Sequence, residues 1–144
     1  MAIRYYEQDV NAKLTAKRRL SSFLETIVHK HLPDINSIQL NFIFCQDAYL
    51  LQINQQYLNH DTYTDIITFD LSENKTSLQG EIYISIERIQ ENATRFNTTY
   101  THELHRVIFH GVLHLCGFKD KSANDKTIMQ AMENDCLNNY FSQA

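Results

Sequence analysis

The chain has 144 residues, 43% of them hydrophobic and 21% charged, with one proline; this excludes a disordered chain and fits a single globular domain over 1–144 with a buried core. A formal charge of −4 excludes nucleic-acid binding through a basic overall field, so contact with RNA needs a local cationic patch, and DNA is not an expected partner. Cys45, Cys116 and Cys136 form no CxxC pair, and no apolar leader or ~18-residue apolar run occurs, so the expected setting is the reducing cytoplasm, without membrane contact.

Residues 2–6 read as a short strand. From 11 to 31 the pattern turns helical: Leu14, Leu20, Phe23, Leu24, Ile27 and Val28 recur at helical spacings, while Lys13, Lys17, Arg18 and Arg19 fall on other faces. That cluster is the densest positive charge in the chain, either a solvated helix face or a phosphate-binding patch. Pro33 follows where the helix should have ended. Residues 37–45 alternate Ile38, Leu40, Phe42 and Phe44 with polar partners, the period of a strand with one buried face. Asp47 is placed to N-cap a helix running to about residue 57. Asn59, His60 and Asp61 break the pattern; 66–71 then reads as a strand, 72–79 as a polar loop, 81–86 as a strand and 87–96 as a helix. A fourth helix spans 101–116, with Gly117 as its C′ residue. The last helix, 124–140, carries Ile128, Met132, Cys136 and Leu137 on one stripe. This order predicts an α+β fold, a single mixed β-sheet of about four strands covered by about five helices.

The fourth helix carries the chemistry. His110 and His114 are spaced i, i+4, so they stand about 40° apart on one face, where two imidazoles can converge on one ion. In a chain with seven histidines such a pair alone is a weak signal. Leu104, Val107, Ile108, Gly111 and Leu115 form the apolar stripe, and both histidines fall on its flank, as a partly open site requires. Gly111 lies on the packed side, which points to close approach of another element. Beyond Gly117 the chain can reverse and bring Asp120 back as a third ligand. Imidazole nitrogen and carboxylate oxygen are ordinary zinc donors, and three protein ligands leave a fourth position for water. The competing reading makes the two histidines core-edge residues and Asp120 a cap at the entry of the last helix. The sequence His-Gly-Val-Leu-His lacks the glutamate of HExxH, which disfavours a zincin protease.

Several ordered segments resemble one family. Residues 110–120, HGVLHLCGFKD, resemble the HGxLHLxGYDH signature of the YbeY-type endoribonucleases, bacterial rRNA maturation factors. Thr64-Asp65-Ile66-Ile67-Thr68-Phe69 is similar to the family's TDVLSF segment, Gly80-Glu81-Ile82-Tyr83-Ile84-Ser85 to its GDIxIS strand, and Ile53-Asn54 with Tyr57 to its LNxxY stretch. Glu103 and Arg106-Val107 precede the histidines as in the family, and Met129 with Glu133 matches its M-x3-E tail.

The resemblance implies one Zn2+ per chain on His110, His114 and Asp120, and single-strand-specific hydrolytic cleavage of RNA in 16S rRNA 3′-end maturation, with rRNA and the small ribosomal subunit as partners. Zinc would lower the pKa of its water toward ~7. Two departures follow. The third signature histidine falls on Asp120, and the family's YR arginine, a candidate phosphate clamp, falls on Leu58. Arg106, Arg88, His60 or the Lys13–Arg19 cluster would have to replace it. Arg106 is thus a candidate catalytic residue or a salt-bridge partner, and Glu103 a carboxylate that orients a ligating histidine or a structural residue. Asp65 reads as a capping or loop residue near the site. Two other functions share the same residues: a zinc hydrolase of another bond, and a non-catalytic ribosome-assembly factor with structural zinc.

Overall fold

The computed structural model describes residues 1–58 and 64–142; Asn59, His60 and Asp61 lie outside that range. Among the described residues the chain runs β1 (Ala2–Glu7), α1 (Lys17–His31), β2 (Ser37–Cys45), α2 (Asp47–Leu58), β3 (Ile66–Asp70), β4 (Ser77–Ser85), α3 (Ile86–Arg95), α4 (Tyr100–Leu115) and α5 (Ala123–Ser142). The strands form one four-stranded mixed sheet in the order β1-β2-β4-β3. The pairs β1·β2 and β2·β4 are parallel, and β3 runs antiparallel to β4. The α+β expectation holds.

Register explains where the core sits. Phe42 pairs with Ile82 and Phe44 with Ile84, so alternate residues of neighbouring strands stack on one face, and all four are buried. Against that face pack Leu20, Leu24, Ile27 and Val28 of α1 and the apolar stripe of α4. A smaller cluster of Cys45, Leu50, Ile53 and Ile67 lies on the other face, under α2. Gly111 does mark a close approach: a Cβ there would come within 3.0 Å of the Ile82 side chain and 3.1 Å of Ile66. That contact presses α4 onto the sheet edge and sets the height of the histidines above it.

Two boundaries and the buried face of one helix differ from expectation. α1 starts at Lys17, not at 11, because Lys13 and Ala16 have φ of 53° and 56°, which a right-handed helix cannot contain. The run before it is held otherwise: Ala12 donates its N–H to Glu7 Oε2 at 2.7 Å, and its carbonyl accepts from the Tyr100 hydroxyl at 2.7 Å. β4 begins at Ser77 within the expected loop. Leu78 and Gly80 point into the core and Gln79 away from it, a period-two pattern disguised by a glycine. α5 is turned by about one residue: it buries Met129, Glu133, Cys136, Leu137 and Tyr140 and leaves Ile128 43% exposed.

Candidate active site

The site is built on the exposed flank of α4 and closed by α5. Thr99 caps α4, its hydroxyl accepting from the His102 N–H at 3.1 Å. Glu103, Arg106 and His110 then follow at helical spacing along one face. At the far end the helix stops in a Schellman turn: Gly117 (φ 105°) donates its N–H to the His114 carbonyl at 3.0 Å, and Phe118 to Leu113 at 3.1 Å. The left-handed conformation at Gly117 reverses the chain and returns Asp120, whose Oδ2 lies 3.3 Å from His110 Nε2.

On the other side Glu133 of α5 is 8% exposed and serves two groups at once. His110 Nδ1 donates to its Oε2 at 2.7 Å, and Arg106 Nη1 donates to its Oε1 at 2.9 Å. A second Arg106 nitrogen donates to Asn134 Oδ1 at 2.7 Å. The carboxylate that holds His110 is therefore Glu133 and not Glu103. Glu103, Arg106, His110, Asp120 and Glu133 line a cavity of about 590 Å³ together with His102 and the buried Met129, and the exposed Phe96, Lys126 and Gln130 form its rim. An adjoining pocket of about 280 Å³ adds Thr64 and Asp65 and shares Glu103, Arg106, His110, Asp120 and Glu133.

Electrostatics divide the groups. Burial disfavours the charged imidazole of His110, but the hydrogen bond and charge of Glu133, helped by Asp120 and Asp65, outweigh it and raise its pKa. Burial pushes Glu103 up to about 7; Arg106 opposes this, and Asp65 and Glu133 add to it. Asp65 is also raised, by burial first and then by Glu133, against His110 and Arg88. In the adjoining pocket four carboxylates, two of them with raised pKa, thus share the space with one guanidinium and one imidazole. A bound cation relieves the repulsion among them.

The donor set suits a zinc ion in part. His110 fits: a carboxylate holds its Nδ1, which leaves Nε2 beside Asp120 for a metal. His114 is exposed and lines neither pocket. Among the described residues no three His, Cys, Asp or Glu side chains are gathered closely enough to hold an ion as they stand. The structure thus brings His110 and Asp120 together and leaves His114 one turn away. Arg106 lines both pockets, but its guanidinium is engaged; Glu103 lines both pockets and is 4% exposed. Arg88 pairs with Asp47 at 3.1 Å, and Leu58 is exposed at the end of α2. The sequence placed Glu133 only in the M-x3-E motif and gave it no role in the site, although an acid four residues from both Met129 and Leu137 on a buried stripe was the available signal. Nothing in the sequence singled out Lys126 or Phe96.

Comparison with known proteins adds a family. Residues 4–141 match the family model described as Endoribonuclease YbeY. The chain is 45% identical over 133 residues to the Endoribonuclease YbeY of Cytophaga hutchinsonii, covering 92% of each chain. It is 42% identical over 137 residues to that of Bacteroides fragilis, covering 95% of this chain and 96% of the other. A solution structure of a Thermotoga maritima protein matches with a TM-score of 0.63 at 26% identity, over 99% of this chain and 91% of that one.

Proposed function

The chain belongs to the YbeY endoribonuclease family, and we propose that it is a zinc-dependent, single-strand-specific endoribonuclease of 16S rRNA 3′-end maturation. Family membership supports a hydrolase acting on RNA. The observation that carries the metal is the Glu133–His110–Asp120 array on the cavity floor, a held imidazole beside a carboxylate in an acidic hole. His110, His114 and Asp120 would hold one zinc ion, with His114 turned inward. When bound, the ion supplies Lewis-acid polarisation and a water acidic enough to ionise near neutral pH.

The chain's own groups do the rest. Glu133 takes the Nδ1 proton of His110 as a hydrogen bond and fixes the tautomer that presents Nε2. Arg106 holds Glu133 from its other oxygen, which keeps that carboxylate in place against His110. Lys126 stands at the mouth, where a phosphate would meet it first. Small-subunit association and a cytoplasmic setting belong to the same reading. No helix among the described residues is long and apolar enough to cross a membrane.

One observation favours a second reading, a non-catalytic assembly factor with structural zinc. Leu58 stands where the family's arginine falls, and Arg106 is committed to Glu133 and Asn134. Metal analysis and cleavage assays of wild type, His110→Ala and Asp120→Ala on single-stranded RNA decide. The catalytic reading expects zinc and cleavage lost together in both variants. Subunit association without cleavage in the zinc-loaded wild type supports the second reading, and stoichiometric zinc in both variants removes the proposed site. Products ending in a 2′,3′-cyclic phosphate would show attack by the neighbouring ribose oxygen in place of water.

A further inference from the structure

Phe96 is 61% exposed, yet it is not a loose surface residue. It ends α3, with its N–H bonded to the Asn92 carbonyl at 2.9 Å, and the next residue, Asn97, has φ of 55°. The Thr98 N–H closes the corner on the Ala93 carbonyl at 2.9 Å, and the Thr98 hydroxyl meets His102 Nδ1 at 3.1 Å. The backbone that carries this aromatic ring is thereby hydrogen-bonded into a tight corner, and the ring lines the same cavity as His110 and Asp120. His102 continues the same wall and lies nearly parallel to the Phe141 ring, with centroids 6.2 Å apart. Burial first, then the Arg106 charge, pushes His102 below its ordinary pKa, so it presents a neutral ring. The buried Met129 and the exposed Lys126 line the same cavity.

We propose that Phe96, with His102 beside it, is the platform on which an unpaired RNA base stacks while its phosphate reaches the His110–Asp120 floor. The proposal rests on the endoribonuclease reading and adds to it the origin of the strand preference. Every base has a π-face, so an exposed aromatic ring binds single strands without regard to sequence. A base inside a duplex has both faces covered and must be unstacked before it can enter a concave site. The cavity, at about 590 Å³, is of the size of small-molecule sites, ~300–1,000 Å³, which suits a nucleotide and not a duplex.

The chain contains no tryptophan, so Phe96→Trp introduces a single tryptophan at the platform, excited at wavelengths where the eight tyrosines do not absorb. With zinc present and a non-cleavable 2′-O-methyl oligoribonucleotide as the probe, the single strand quenches that fluorescence and a blunt duplex of the same sequence does not. On cleavable single-stranded RNA, Phe96→Ala raises KM about tenfold, within the range of one stacked base. Its kcat changes less than about twofold, and Phe96→Tyr or Phe96→Trp restores KM. The platform is overturned if the wild type cleaves and Phe96→Ala keeps its KM. It is also overturned if labelled RNA binds Phe96→Trp, by anisotropy, without quenching, or if the duplex quenches equally. A wild type that neither binds nor cleaves RNA overturns the endoribonuclease reading itself, and the platform with it.

Discussion

Glu133 is the residue on which the site turns, because one buried carboxylate satisfies both His110 and Arg106. Glu133→Gln keeps the shape and removes the charge. The pKa of His110 in the metal-free protein then falls, because burial is opposed only by Asp120 and Asp65; its imidazole resonances followed by NMR against pH report this directly. The loss of a carboxylate behind a ligating histidine typically costs ~10–100-fold in metal affinity or activity, and zinc titration of the variant checks that figure. Glu103 gives a separate pH signature. Its carboxyl is pushed from 4.5 up to about 7, so the folded state holds the proton more tightly than the unfolded one. Stability from this group is full below about 4.5 and is lost as pH rises toward about 7, on the order of 3 kcal/mol in all. Glu103→Gln removes that loss. Melts of the two proteins should agree near pH 4.5 and separate in the variant's favour by pH 8; a difference independent of pH would reject the assignment.

At the scale of elements, α4 is positioned by the absence of a side chain. A methyl at Gly111 would meet Ile82 at 3.0 Å and Ile66 at 3.1 Å, so the neighbours must give way by a few tenths of an ångström. An alanine gains up to ~1 kcal/mol of helix propensity and loses ~1–3 kcal/mol to overpacking. Gly111→Ala should therefore cost about 1 kcal/mol, a fall of roughly 3–5 °C in Tm. Gly111→Val, with more bulk and poorer propensity, should cost several times that, and thermal melts by circular dichroism measure both. This element was also the most legible in the sequence, since Leu104, Val107, Ile108 and Leu115 mark its buried face and Gly117 its end. Spacing could not tell which histidine faces inward, because 40° on a helix is smaller than the uncertainty in how the helix is rolled. α5 was misread for a related reason. Ile128 and Met129 differ by one position, and only a non-local fact, the pairing of Glu133 with α4, decides which side is buried. The N-terminal limit of α1 was hidden because Leu14 packs on the core from outside the helix while keeping its periodicity.

For the molecule as a whole, a formal charge of −4 and an acidic cavity set the terms on which RNA can bind. Arg19 does not extend a free cationic track, since it donates to the Tyr140 carbonyl and lies over that ring at 4.2 Å. Lys17 and Arg18 remain exposed on α1, and Lys126 is exposed at the cavity mouth. Association with a single strand releases counterions in proportion to the phosphates neutralised, with a slope in log K against log salt of about −0.7 per contact. With so few cations near the cavity, the zinc-loaded protein should show a shallow slope, no steeper than roughly −2. Lys126→Ala should reduce its magnitude by about 0.7, weakening all single strands alike. The same titration with Lys17→Ala shows whether the backbone also runs over α1. A slope unchanged by Lys126→Ala would mean that the RNA backbone does not pass the cavity mouth, and the path of the substrate across this face would then have to be redrawn.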